Sequence, residues 1–251
     1  MIRFLAISLL VWFSIPPSAA AQSCQTSGVA IEILGSGGPR MSRDRASASY
    51  LVWIDGRSRI LVDAGGGAFL RFGQANARFD DLSLIAISHL HPDHVSDLPA
   101  LLWGDMARKA PLAISGPSGN DLVPSFPTFL GHLFDQKNGA FQVLGGTLRG
   151  SSGRGVPLDV GVIDVTKTAP STVFGQGDFA VTAIGIPHGN IPALAYRVRA
   201  QNATIVFSTD QNGTDPRFVE FARGADVLVM HLAIAAATTS PLHASDRKSV
   251  V

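Results

Sequence analysis

The sequence predicts an α+β fold, with two β-sheets sandwiched between layers of helix. Three observations predict it. Short apolar runs of strand length recur in both halves of the chain, helical stretches are interspersed among them, and Gly and Pro mark the boundaries. No repeat at a fixed period competes with this reading. A chain of 251 residues, 46% apolar and 16% charged, is long enough for one well-buried domain and too apolar for a disordered one.

Taken in order, Val29 to Leu34 reads as a strand, followed by the loop Gly35-Ser36-Gly37-Gly38-Pro39. Ala48 to Ile54 and Arg59 to Asp63 read as two strands joined through Asp55-Gly56, a hairpin signal. Phe69 to Phe79 reads as helical, Leu84 to Ser88 as a buried strand, and Val95 to Lys109 as a helix with Leu98, Leu101, Leu102 and Met106 on one side. A strand over Leu112 to Ser115 precedes a stretch broken by Gly and Pro, then a helix near Phe129 to Gln136. Gly145 to Gly161 reads as a loop. Strands return at Val162 to Thr166, Phe179 to Ile186, Ala193 to Arg199 and Thr204 to Ser208. A short helix over Pro216 to Arg223 and a buried strand over Asp226 to Met230 follow.

The first 21 residues are set apart from the fold. Arg3 supplies a positive start, Phe4 to Phe13 is an apolar run broken by Ser8, and Ala19-Ala20-Ala21 offers a cleavage site. The run is well short of the roughly 20 residues that span a bilayer. The expectation is a cleaved signal peptide over 1–21, a domain over 22–251, a periplasmic or secreted location, and no membrane span after cleavage. The single cysteine, Cys24, excludes an internal disulfide and a Cys-rich zinc module. Lys and Arg total 20 against 19 Asp and Glu, a net charge of +1, which argues against a general nucleic-acid-binding surface.

One segment carries the chemistry: Ser88-His89-Leu90-His91-Pro92-Asp93-His94. Three of the seven histidines and an aspartate fall within six residues. Imidazole and carboxylate are the zinc ligands that remain when cysteine is absent. On a turn leaving a strand, His89 and His91 project the same way and grip one ion, while Asp93 and His94 face a second. A lone loop histidine is usually just solvated, and four ligand-type residues at this spacing are not.

His-x-His-x-Asp-His resembles the signature of the metallo-β-lactamase-fold hydrolases, a four-layer αββα sandwich. Leu34-Gly35-Ser36-Gly37-Gly38-Pro39 resembles the glycine loop of the ribonuclease Z and arylsulfatase-like branch, and Asp63-Ala64-Gly65 after a strand also fits. The resemblance runs from about Val29 to the C-terminus. It implies two zinc ions, one held by His89, His91, His188 and Asp210, the other by Asp93, His94 and Asp210. Asp93 is a candidate to orient the attacking water besides binding metal, and Asp63 either orients a ligand histidine or is a turn residue at a strand end. His231 matches a histidine that assists the leaving group, although in that branch it is followed by Glu and here by Leu232. The family has a further histidine after another helix and strand. Twenty residues follow His231, and Pro241-Leu242-His243 resembles the entry to that helix. The expectation is a chain whose last helix-strand unit is missing and whose second metal site is weak, with His243 a substitute one helix too early.

Other catalytic readings fare worse. Gly35-Ser36-Gly37-Gly38 lacks the lysine of a phosphate-binding loop and the third glycine of a dinucleotide fold, and no Gly-x-Ser-x-Gly elbow occurs. The sequence therefore points to an exported zinc-dependent hydrolase that uses a metal-activated hydroxide on a sulfate ester or phosphodiester. A lactonase or β-lactamase has less behind it, and an inactive, truncated remnant is the rival from another class. Arg40, Arg43 and Arg45 suit an anionic small-molecule substrate, or else are a solvated basic loop. Export argues against tRNA maturation, and no nucleic-acid partner is expected. A homodimer is among the open oligomeric states.

Overall fold

The computed structural model describes residues 27–104, 108–148, 153–211 and 213–231. The expected signal peptide, Cys24, Met106, His243 and the C-terminal tail lie outside the described residues. Asp55 and Gly56 both take positive φ, 49° and 71°, which is the twist a two-residue hairpin needs. They join β2 (Ser49–Ile54) to β3 (Arg57–Val62), and β1 (Val29–Gly35) pairs antiparallel along the other side of β2. From β3 the chain crosses over through helices, so β4 (Leu84–Ala86), β5 (Leu112–Pro117) and β6 (Leu158–Ile163) add in parallel. The result is a six-stranded sheet in the order β1-β2-β3-β4-β5-β6. The second sheet has five strands in the order β11-β10-β9-β8-β7: β7 (Ser171–Gln176), β8 (Phe179–Ile186), β9 (Ala193–Ala200), β10 (Ala203–Phe207) and β11 (Val227–Val229).

Strand periodicity divides the core into three layers. Leu51, Trp53, Leu61 and Ile85 face helices α1 (Ala68–Gln74), α3 (Leu98–Gly104) and α4 (Phe126–Phe134), meeting Phe72, Leu101, Leu102 and Leu130. Their neighbours Tyr50, Val52, Ile60 and Val62 face the other sheet, packing on Val181, Tyr196, Val198 and Phe207. On the outer side of the second sheet, Ile184, Ala195 and Val206 meet Phe218 and Phe221 of α5 (Pro216–Ala222). This is the four-layer αββα sandwich the sequence predicts. Among the described residues, no helix is long and apolar enough to cross a membrane.

The largest departures from expectation are four. The helix expected over Val95 to Lys109 is two pieces, α2 (Pro92–Val95) and α3. Asp97 between them turns its carboxylate to the Gly67 and Phe69 amides, 2.9 Å each, and so caps α1. Asn76, at φ 54°, lies beyond the end of α1, and the chain resumes as a 3₁₀ turn at Phe79–Asp81 rather than continuing the helix. β6 starts at Leu158, inside the stretch expected to be a loop, and ends at Ile163 instead of Thr166. β7 has no counterpart in the sequence reading.

Candidate metal centre

The site sits where the two sheets meet, at the C-terminal ends of their strands. β4 releases the chain at Ala86, and the Ile87 amide still reaches the Ser115 carbonyl of β5 (2.8 Å). Ser88, His89 and His94 that follow are completely buried. Pro92 opens α2, where its missing N–H costs nothing, and His91 caps it. One turn of helix thus carries Asp93 and His94 back toward His89. From the other sheet come three groups: His188 in the loop between β8 and β9, Asp210 after β10, and His231 after β11.

Two clusters of donor atoms form. His89, His91 and His188 make one, and His89, His94 and Asp210 the other, each within 4.8 Å. His91 Nδ1 lies 3.0 Å from His89 Nε2 and 3.3 Å from His188 Nε2. Ligand nitrogens placed tetrahedrally around zinc at about 2.0–2.1 Å sit about 3.3–3.4 Å apart, so this spacing fits a metal ion. His94 Nε2 lies 3.7 Å from Asp93 Oδ2 and 3.6 Å from Asp210 Oδ2, a second set of the same scale. All six residues expected as ligands therefore converge. His231 joins them: its Nδ1 is 3.2 Å from Asp210 Oδ1, its amide donates to Ser208 Oγ (2.9 Å), and its ring lies 5.0 Å from that of Tyr50. Arg40 and Arg43 are exposed and Arg45 half-buried in the loop after the glycines.

A buried network orients the donors. Asp63, fully buried and at φ 59°, accepts from the Ser88 amide (2.7 Å), the Ser88 hydroxyl (2.8 Å) and His94 Nδ1 (2.7 Å). Since Nδ1–H of His94 donates to Asp63, Nε2 of that ring is left as a lone pair facing the cluster. The Ser88 hydroxyl has spent its proton on Asp63, so its oxygen accepts from His89 Nδ1 at 3.0 Å. That sets His89 in the same tautomer. Sequence reasoning missed Ser88; its signal is a small hydroxyl directly before the first histidine. It also missed Thr209, a buried β-branched residue held at φ 48° whose hydroxyl donates to Leu194 O (2.6 Å) and which aims Asp210.

Burial, reinforced by His94 and then by His188 and His91 and opposed by Asp210, holds the His89 imidazole well below its ordinary pKa. The ring is neutral at neutral pH, as a ligand must be. On unfolding in mild acid it takes up a proton, so the unfolded state binds more protons and stability rises with pH there. The metal-free chain should accordingly lose thermal stability as pH falls below about 6.5. Melting curves from pH 7.5 to 5 test this, and His89→Gln should flatten the slope. Gly65 is equally exacting. A Cβ there would overlap the Asp93 carbonyl and crowd Ala48 and Ser47. Gly65→Ala should cost about 1–3 kcal/mol in chemical denaturation and displace the turn that carries Asp93.

A family model described as the β-lactamase superfamily domain matches residues 58–250. Ribonuclease Z of Mycobacterium marinum is 28% identical over 208 residues, covering 80% of this chain and 69% of that protein. Ribonuclease Z of Alkaliphilus oremlandii is 37% identical over 91 residues, 36% of this chain, and that of Clostridium tetani is 25% identical over 178 residues. These two matches span 28% and 49% of the respective relatives. Human tRNase Z, short form, superimposes with a TM-score of 0.64 at 20% identity, over 82% of this chain and 79% of that one. The metallo-β-lactamase fold protein YhfI of Bacillus subtilis gives 0.61 at 18% identity, over 85% and 74%. These relatives overturn the expectation of no nucleic-acid partner. A net charge near zero averages the whole surface and says nothing of a local patch.

Proposed function

This chain belongs to the metallo-β-lactamase superfamily, and from that premise we propose an exported, zinc-dependent phosphodiesterase whose substrates include RNA. The observation that carries the reading is the convergence of His89, His91, Asp93, His94, His188 and Asp210 at ligand spacing. The ribonuclease Z relatives favour a phosphodiester over a sulfate ester. The N-terminal 21 residues support export.

His89, His91 and His188 would hold one ion, and Asp93, His94 and Asp210 the other. Such a pair supplies Lewis acidity to a phosphoryl oxygen and brings the pKa of water toward neutrality. The chain's own groups do the rest. Asp63 and Ser88 keep the lone pairs of His94 and His89 aimed inward. Asp93 orients the attacking water. Asp210 Oδ1 accepts from His231 Nδ1 and steadies that ring, and the proton for the leaving oxygen would come from Nε2 of a doubly protonated His231. The test is turnover by zinc-reconstituted mature chain of bis(p-nitrophenyl) phosphate, a short RNA and p-nitrophenyl sulfate. Phosphodiester cleavage is expected. Sulfate hydrolysis alone, or none of the three, overturns the reading.

A further inference from the structure

A cavity of about 380 Å³ opens beside His188, lined by Asn120, Thr166, Asn190 and Arg217 among others. A second, of about 500 Å³, lies along α5 and is lined by Thr182, Arg197, Arg199, Arg217 and Glu220. Arg217 lines both, so the two adjoin as a groove that runs from beside His188 to the outer face of the second sheet. The strand pattern builds this. Ala193, Ala195, Arg197 and Arg199 alternate with the buried Leu194, Tyr196 and Val198, and so share the outer face of β9. Helix α5 covers the alanines near the site and leaves the arginines beyond it. From Ala193 to Arg199 the strand travels about 20 Å.

The acids in the groove are already engaged. Glu220 pairs with Arg223 at 2.7 Å, and Asp215 with Arg217 at 2.6 Å. Arg197 donates to the Phe221 and Arg223 carbonyls at the end of α5. The Arg199 side chain is exposed and makes no hydrogen bond or ion pair among the described residues. Arg197, Arg199 and Arg217 line the two cavities against Asp215 and Glu220, a surplus of one positive charge, and Arg223 outside them occupies Glu220. Phe221 is buried, so the groove offers no aromatic face for a base. Forked cations without a stacking platform suit a phosphate backbone and read no sequence.

We propose that this groove binds the sugar-phosphate backbone of single-stranded RNA and leads it to the metal centre, with Arg199 as its far anchor. The choice of RNA rests on the hydrolase reading above. The test is fluorescence anisotropy of labelled ten-nucleotide oligo-U and oligo-A with the mature chain in chelator, so that binding is read without turnover. Both oligonucleotides should bind alike, and affinity should fall with salt. Arg199→Ala should weaken binding roughly fivefold and lower the log–log salt slope by about 0.7, with an unchanged melting temperature. Arg199→Lys should restore most of the loss. Equal affinity and slope in wild type and Arg199→Ala, or no binding by wild type, overturns the groove. RNA held through Arg199 but left uncut by the zinc-loaded chain supports the groove and sinks the phosphodiesterase. RNA cut with binding indifferent to Arg199 does the reverse.

Discussion

Replacing His89 and His91 together by alanine should leave a folded chain with no bound zinc and essentially no hydrolysis. His89 belongs to both donor clusters, and His91 Nδ1 is the atom that the other two nitrogens of the first cluster approach. Their loss removes two of three imidazoles from one cluster and one of two from the other. A bound metal contributes several kcal/mol to the transition state, so turnover should drop on the order of a thousandfold or more. Elemental analysis of wild type and double variant, beside turnover of bis(p-nitrophenyl) phosphate, checks it. Two ions per wild-type chain would mean that the residues at hand complete both sites. One would mean that the second binds weakly. Zinc retained by the double variant would refute the assignment.

Asp63→Asn should weaken the site without touching a ligand. The amide is the same size, but it can present only one acceptor atom where the carboxylate receives three donors. Its NH₂ would face the Ser88 hydroxyl or His94 Nδ1–H, and relief requires His94 to switch tautomer and turn a proton toward the metal. A buried donor left unmatched costs about 1–3 kcal/mol, and loss of an outer partner typically lowers metal affinity 10–100-fold. Chemical denaturation of the metal-free chain reads the first, and zinc competition with a chromophoric chelator reads the second. A variant with wild-type affinity would show that Asp63 serves the fold alone.

Much of this was legible in the sequence because the signals were local. The hairpin at Asp55-Gly56 and the strands β8 to β10 are marked by turn residues and apolar alternation at short range. The histidine cluster is contained in six residues. What escaped had weaker local grounds. β7, Ser-Thr-Val-Phe-Gly-Gln, is an edge strand with no fully buried residue, so its pattern has no apolar stripe to display. β6 contains Asp159 and Gly161 in a glycine-rich neighbourhood and becomes a strand because β5 beside it offers a parallel partner. The Asp63–Ser88–His89 chain joins residues 25 positions apart, and the Asp210–His231 contact joins residues 21 apart. Only the packing of strand ends makes those pairs, and no spacing rule reaches them.

The donors are also shared between the sheets: His89, His91, Asp93 and His94 hang from the first, His188 and Asp210 from the second. The Leu194 amide crosses to the Ser88 carbonyl (3.0 Å) and the Tyr196 hydroxyl to the Ile87 carbonyl (2.7 Å) at the same seam. A metal seated there acts as a tie-rod. It would load the two halves of the molecule against each other, so that shearing the sandwich along its midline would have to tear the ion from its ligands. In mechanical terms, a bound ion would add to the resistance that the hydrophobic core offers against the molecule being pulled open.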